Sequence, residues 1–302
     1  MPADIEVELH VNRYASRGIA GRLKDALAAW RRRAPLNHVL GDVHYLAWFL
    51  PRANTVLTVL DCVSLERLKG ARRWVFWFLW YWWPLKRSAQ VTVISTFSRD
   101  SLLEWVRYPP ECIHVIHPPL SLEFQAAPAK RNADRPRLLQ IGTGPNKNLP
   151  RVVEAIAGLP VQLAIVGTPD EAVRARMEAL EIDFEAHAEL SREELVAEYE
   201  KADLIVFAST YEGFGLPIIE AQAVGRPVVA GNVCAMPEAA GDAACMVDPF
   251  DVADIRRGIC RLIEDEDYAD ALVAKGFENA RRFAPSQIAE EYAEVYRLVA
   301  GR

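Results

Sequence analysis

At 302 residues the chain is long for one hydrophobic core and comfortable for two domains. With 51% hydrophobic and 25% charged residues its composition is that of an ordinary globular protein, and a formal charge of -6 carries no electrostatic footprint for nucleic acid. Five cysteines, at 62, 112, 234, 245 and 260, form no CxxC pair and no Cys/His cluster. They read as reduced, buried thiols of a cytoplasmic protein, and no metal site is expected.

The opening MPADIEVELHVNR is charged and has no apolar h-region, so no signal peptide is expected. ASRGIAGRLKDALAAWRRR then reads as a glycine turn, with Gly18 and Gly21, leading into a basic helix. TVLTVLD (55–61) is a strand ending in an acid, Asp61. Next comes RRWVFWFLWYWWPLKR, from Arg72 to Arg87, where twelve apolar residues lie between two basic pairs. Crossing a bilayer takes roughly 20 such residues, so this run is too short to span. It holds five of the eight tryptophans, and indole rings favour the membrane interface. Two readings stay open: an aromatic helix with basic ends lying on anionic headgroups, or a helix buried between sheet layers.

VTVIST (91–96) predicts a further strand, opening into the helix FSRDSLLEWV, and IHVIHPP (113–119) another short strand. The stretch 126–136 is polar, contains two prolines and shows no apolar periodicity, which marks a linker. From Arg137 the chain alternates strand and helix: RLLQIG, then NLPRVVEAIAGL; VQLAIVG, then TPDEAVRARMEALEI; FEAHAEL, then SREELVAEYEKA with Ser191 and Glu194 in capping-box spacing. LIVFAS, LPIIEAQAVG and PVVAG continue the series. Apolar strands separated by helices predict an α/β protein with parallel sheets covered on both faces. The expected domains are 1–125 and 137–285, each Rossmann-like, with the segment 286–302 returning to the first. Such sheets hold ligands at the carboxyl ends of their strands.

The loop after LIVFAS reads STYEGFG, and a helix follows it. Gly213 and Gly215 let the backbone approach a ligand closely, and the helix start offers unpaired N–H groups that suit a phosphate. Pro217 fits the first helical turn, where its missing N–H is harmless. Glu220, about one turn into the helix, is placed to accept hydrogen bonds from a ribose diol, as an acid does in dinucleotide folds. Glu212, ahead of the glycines, faces whatever hangs beyond the phosphate. Together these parts describe a nucleotide diphosphate carrying a polyhydroxy group.

The segment YEGFGLPIIE resembles the E-x7-E signature of the retaining glycosyltransferases of family four, whose fold is GT-B. The resemblance continues through GRPVVAGNVCAMPEAAGDAACMVDP and LVAEYEKADLIVFAS, and upstream through IGTGPNKNLPRVVEAI. It is fainter at RGIAGR and STFSRDSLLEW. The resemblance implies two Rossmann-like domains facing a central cleft, and sugar transfer from a UDP- or GDP-linked donor with retention of configuration and no metal or other cofactor. It places Glu220 on the donor ribose and Glu212 on sugar hydroxyls. It puts the backbone of Phe214, Gly215 and Leu216, with Gly142, Thr143 and Gly213 nearby, against diphosphate and sugar, and Lys147 on the leaving group. The acceptor is expected to be a saccharide or a lipid-linked glycan.

Two positions depart from the pattern. Many family members place an arginine near the lysine, whereas this chain has Asn146 just before Lys147, with Arg22 or Arg99 as candidate compensating cations. Where relatives often carry His-Asp at a strand end, this chain has Leu60 and Asp61. His44 is a candidate substitute for the imidazole, and Asp61 either faces the acceptor or caps the next turn. The N-terminal half also reads as shorter than in relatives. These departures motivate a second reading, a nucleotide-sugar-binding subunit without catalysis. A nucleotide-sugar epimerase is a third.

Overall fold

The computed structural model describes residues 1–2, 4–14, 18–128, 131–132 and 134–301. The chain forms two compact units, Met1–Pro118 with Ser286–Arg302, and Pro119–Pro285.

The first unit is built on four parallel strands, β1 (Asn37–Val39), β2 (Thr55–Val59), β3 (Gln90–Val93) and β4 (Ile113–Val115), in that spatial order. Every residue of β2 is buried, as its unbroken Thr/Val/Leu run predicts for a strand covered on both faces. Leu57 and Val59 pack into a core with Tyr45, Trp80, Tyr81 and Leu102. Val56 points to the other face, against Ile288, Val295 and Val299 of the last helix, Pro285–Ala300. The C-terminal helix is therefore part of the first unit. His38 fixes it there: Nδ1 lies 2.7 Å from the Tyr296 hydroxyl and Nε2 lies 2.7 Å from Thr58 Oγ1. Of the predicted glycine turn, residues 15–17 lie outside the described residues; the helix after it spans Ile19–Arg31, with Gly18 at its start.

The aromatic run forms a helix, Gly70–Phe76, that widens into a π turn over Trp77–Trp82 and regains α geometry over Trp83–Lys86. Pro84 supplies the reason for the widening. It has no N–H to bond a carbonyl one turn back, and its ring crowds that turn. The carbonyls so released find side chains instead. Trp80 O lies 2.8 Å from His44 Nδ1, and Leu79 O accepts from Trp48 Nε1 at 2.8 Å. The segment is buried on one face and exposed on the other. Trp80, Tyr81 and Leu85 enter the core, whereas Trp74, Val75, Phe78 and Trp83 are exposed beside exposed Arg72 and Lys86. Among the described residues no helix is long and apolar enough to cross a membrane.

The second unit carries six parallel strands: β5 (Arg137–Ile141), β6 (Gln162–Val166), β7 (Asp183–His187), β8 (Leu204–Phe207), β9 (Val228–Gly231) and β10 (Cys245–Val247). Their spatial order is β10-β9-β8-β5-β6-β7. The chain thus winds outward from β5 to β7, returns, and winds the other way from β8 to β10. Ser191 and Glu194 form the predicted capping box at the helix Arg192–Lys201. Residues 129, 130 and 133 of the expected linker lie outside the described residues. The change of unit falls earlier than that linker. Leu120 N donates to Phe283 O at 2.8 Å, and Phe124 packs edge-on against Tyr199, so residues from Pro119 belong with the second unit.

Burial holds the pKa of both His38 and His44 down at about 4. An unfolded histidine takes up its proton near pH 6.5, so their contribution to stability is complete above that pH and is lost as pH falls toward 4. The thermal unfolding midpoint should therefore drop between pH 7 and pH 5, with each histidine contributing on the order of 1–2 kcal/mol to the loss. The double variant His38→Gln/His44→Gln should be less stable at pH 7 and show a flatter slope over that range.

Candidate functional site

In the second sheet the winding reverses between β5 and β8, so the loops after these two strands turn apart at neighbouring carboxyl ends. This is where a doubly wound sheet leaves room for a ligand. The two loops are 142–148 and 208–215, and they carry most of the residues singled out by the motif.

Gly142 has φ 86 and lies under the side chain of Lys147, whose Cγ is 3.1 Å from the position a Cβ would take. A glycine there lets the lysine stem pass over the strand end. Lys147 Nζ then reaches Glu212 Oε1 at 2.7 Å and sits 4.7 Å from the centroid of the Phe207 ring. Asn146 donates to the same Glu212 oxygen at 3.2 Å and to Tyr211 O at 3.0 Å. In return Thr210 N donates to Asn146 O at 2.8 Å. Asn146 thus knits the two loops together. Thr143 packs against Gly167, at the end of β6.

Asn148 performs a second bridging task. It is buried in the left-handed conformation, φ 61, and its Nδ2 donates to Ala208 O at 2.8 Å and Pro249 O at 2.6 Å. These carbonyls lie at the ends of β8 and β10, where no neighbouring strand can satisfy them. Gly215, φ 116, precedes the helix Leu216–Val224, and Phe214 is buried edge-on against Phe283. The side chain of Phe214 thereby anchors the loop, while Leu216 is exposed. Glu212, Gly213, Gly215 and the helix start follow one another along one stretch of chain.

Glu220 is only 6% exposed. Its Oε2 accepts from the Tyr199 hydroxyl at 2.7 Å, and Arg192 Nη1 lies 3.6 Å from Oε1. Burial raises its pKa, while Tyr199, Arg192 and Lys147 act in the opposite direction. Tyr199 and Arg192 were not singled out in the sequence. A phenol five residues ahead of a strand gives no sign that it will meet a carboxylate on the next helix.

The remaining candidates lie in the first unit. Asp61, just after β2, accepts through Oδ1 at 3.0 Å from Val63 N, the first residue of the short helix Val63–Arg67. Its backbone carbonyl accepts from Tyr81. His44 is buried, with its Nδ1 on the Trp80 carbonyl and its ring edge-on to Tyr81. Leu60 is partly exposed beside Asp61. Arg22 lies over the Trp80 ring at 4.5 Å, Gly21 adjoins Tyr14, and Arg99 pairs with its neighbour Asp100 at 2.9 Å.

One further cluster could be taken for a metal site. Glu185, His187 and Glu198 present ligand atoms within 4.8 Å of one another. Arg137 donates to both of these glutamates, so a guanidinium already supplies the positive charge among them.

Residues 123–279 match the family described as glycosyl transferases group 1. The chain belongs to that family. Over 107 residues, 35% of this chain and 28% of the relative, it is 37% identical to the O-antigen chain mannosyltransferase B of Escherichia coli. Over 231 residues, 72% of this chain and 56% of the relative, it is 28% identical to the MMP alpha-(1->4)-mannosyltransferase of Mycolicibacterium hassiacum. The chain therefore spans about a quarter and about half of the lengths of these two relatives. Among solved structures it is similar to Anabaena HepE in complex with UDP and glucose, at a TM-score of 0.77 and 17% identity, over 91% of this chain and 80% of that one. Its two parallel sheets, of four and six strands, are those of the GT-B fold.

Asn148→Ala tests how the site is held open. It removes two buried hydrogen bonds and sets alanine at positive φ, so a loss of about 2–4 kcal/mol is expected, read as a lower urea midpoint. Asn148→Gly, which keeps the backbone freedom, should lose less.

Proposed function

We propose that this glycosyltransferase moves a hexose from a nucleotide diphosphate donor to an acceptor hydroxyl, with retention of configuration, in polysaccharide or lipid-linked glycan synthesis. The observation that carries this reading is the 2.7 Å pair of Lys147 and Glu212, set at the reversal of the second sheet beside a glycine-flanked helix start. Both partners are largely buried, with 22% and 14% of their side chains exposed. Such a pair is screened little by solvent and is well placed to exchange partners with an incoming charged ligand.

In this reading the diphosphate lies against Lys147 and the N–H groups of Phe214, Gly215 and Leu216, with Gly142, Thr143 and Gly213 lining its approach. It competes with Glu212 for the ammonium group and so leaves Glu212 Oε1 to accept from sugar hydroxyls. Glu220 takes the ribose. As the bond from sugar to phosphate breaks, negative charge builds on the leaving oxygen, where Lys147 and the aligned amides stabilise it. The acceptor hydroxyl attacks from the same face as the departing diphosphate and gives its proton to the leaving phosphate oxygen as the new glycosidic bond forms, which preserves configuration. The second carboxylate oxygen of Asp61, the one not engaged with Val63, is assigned to the acceptor. Both curated relatives named above are mannosyltransferases, which makes mannose the first sugar to test.

Calorimetric titration with UDP, GDP, ADP and dTDP should show selective binding. Glu220→Ala should weaken it by about 1–3 kcal/mol, as hydrogen bonds to a charged group are lost. Glu212→Ala, which frees Lys147 for the diphosphate, should keep or raise nucleotide affinity but depress transfer to acceptor. An equal loss of nucleotide affinity in both variants refutes this division of roles, and tight binding with no turnover supports a non-catalytic subunit instead.

The acceptor is proposed to be presented at a membrane surface that the protein touches through the exposed face of Arg72–Arg87. Trp74 is 67% and Phe78 41% exposed. Phe78 stacks on Trp82 at 5.2 Å, so the apolar face is already ordered, and basic residues stand at both ends. Vesicles containing anionic lipid should pull down the protein, and Trp74→Ser/Phe78→Ser should abolish that binding while leaving nucleotide affinity intact. Retention of vesicle binding by the double variant overturns this placement.

A further inference from the structure

Glu220 poses an electrostatic problem that its own helix does not solve. It sits in the helix Leu216–Val224 among Ile218, Ile219 and Ala221, all fully buried. A carboxylate in such surroundings tends to take up a proton, and a protonated acid can accept fewer hydrogen bonds from a diol. The solution comes from the preceding helix, Arg192–Lys201. Tyr199 is fully buried and donates its hydroxyl to Glu220 Oε2 at 2.7 Å. Its ring is held edge-on by Phe124, with centroids 5.1 Å apart, so the phenol has no other place to turn. Arg192, at the start of the same helix, lies 3.6 Å from Glu220 Oε1, 4.6 Å over the Phe124 ring and 3.7 Å from Glu123. Phe124 thus sets both the phenol and the guanidinium against a single carboxylate.

We propose that Tyr199 and Arg192 are positioning residues that keep Glu220 ionised and fix its oxygens for the donor ribose. The proposal rests on the assignment of Glu220 to the ribose. Tyr199 ties down Oε2, and Oε1 is the oxygen presented to a hydroxyl, with Arg192 balancing its charge. Burial, and then the charge of Glu220, raises the pKa of Tyr199 well above the ordinary phenol value, so it acts as a donor throughout the physiological range. The charged and titratable groups around Glu220 are Tyr199 and Arg192 from one helix and Lys147 from the loop after β5, with Glu123 acting through Arg192. Removing the phenol hydroxyl takes away a hydrogen bond that favours the ionised form. The variant carboxylate should then protonate at higher pH and bind nucleotide poorly on the acid side.

The test is calorimetric affinity for GDP and UDP from pH 5.5 to 8.5, with Tyr199→Phe, Arg192→Met and Glu220→Gln. The profile of Glu220→Gln contains only the titration of the nucleotide and of other groups, so each variant is read against it. Tyr199→Phe should match the unaltered chain at pH 8.5 and fall progressively below it as the pH drops to 5.5, by up to about tenfold, the ceiling set by a shift of one pKa unit. Arg192→Met, at a half-exposed position that tolerates substitution, should move the acid limb in the same direction by less. Equal weakening at every pH, or no weakening in Tyr199→Phe while Glu220→Gln binds poorly, overturns the positioning role and leaves the ribose assignment standing. Glu220→Gln binding as well as the unaltered chain overturns the ribose assignment itself, as does an unaltered chain that binds neither nucleotide.

Discussion

Reversing the winding of a parallel sheet leaves two strands side by side whose following loops must part. At β5 and β8 this produces carbonyls with no strand to pair with and a gap where the loops separate. Asn148 and Asn146 hold the edges of that gap. One bonds to the ends of β8 and β10, and the other ties the loop after β5 to the loop after β8. The rest of the site follows from this constraint. Gly142 is required so that Lys147 can lie back over its own strand end. The glycines around Phe214 let the next loop close onto its helix, and Phe214 itself is the peg that holds the loop against Phe283.

With the gap held open, charge decides what it can hold. A lysine and a glutamate that face each other at 2.7 Å, both largely buried, leave the site close to neutral. A ligand with negative charge at one end and hydroxyl groups at the other offers each partner something better than the other side chain: phosphate oxygens for the ammonium, donors for the carboxylate. Glu220 is more deeply buried, and besides the charge of Lys147 it meets a phenol and a guanidinium supplied by the neighbouring helix. The two acids of the motif are thus handled by different means. One is paired within the site and the other is supported from behind.

How much of this was legible in the sequence depended on whether the signal was local. Strands β5, β6, β8 and β9 were legible because their apolar runs are largely buried, and Ser191 and Glu194 announced their capping box by spacing alone. The acid–glycine–helix segment was legible because its residues follow one another along the chain. Tyr199 and Arg192 were not, because their tie to Glu220 bridges 21 and 28 residues and depends on how two helices pack. Asn146 read as the loss of a cation, whereas its actual task, joining two loops, depends on Tyr211 and Glu212 more than sixty residues later. The change of unit was placed too late along the chain because polar, proline-rich composition marks a surface segment. It does not show which unit the residues ahead of that segment join, and Phe124 joins the second.

The aromatic segment shows why pattern alone left two readings open. A run that is apolar all round has no polar face from which to infer burial. Its orientation is decided by Pro84, which widens the turn over Trp77–Trp82 and releases the carbonyls of Leu79 and Trp80. Those carbonyls must be satisfied inside the unit, by Trp48 and His44, and this commits one side of the helix to the core. The same requirement accounts for His44, which matched no motif in its expected place: its imidazole is used to satisfy a backbone group that a proline has left without a partner. Once that side is committed, Trp74, Phe78 and Trp83 have no core left to enter and face outward between basic residues. An exposed aromatic face of this kind is unfavourable in water and favourable at the boundary between headgroups and acyl chains.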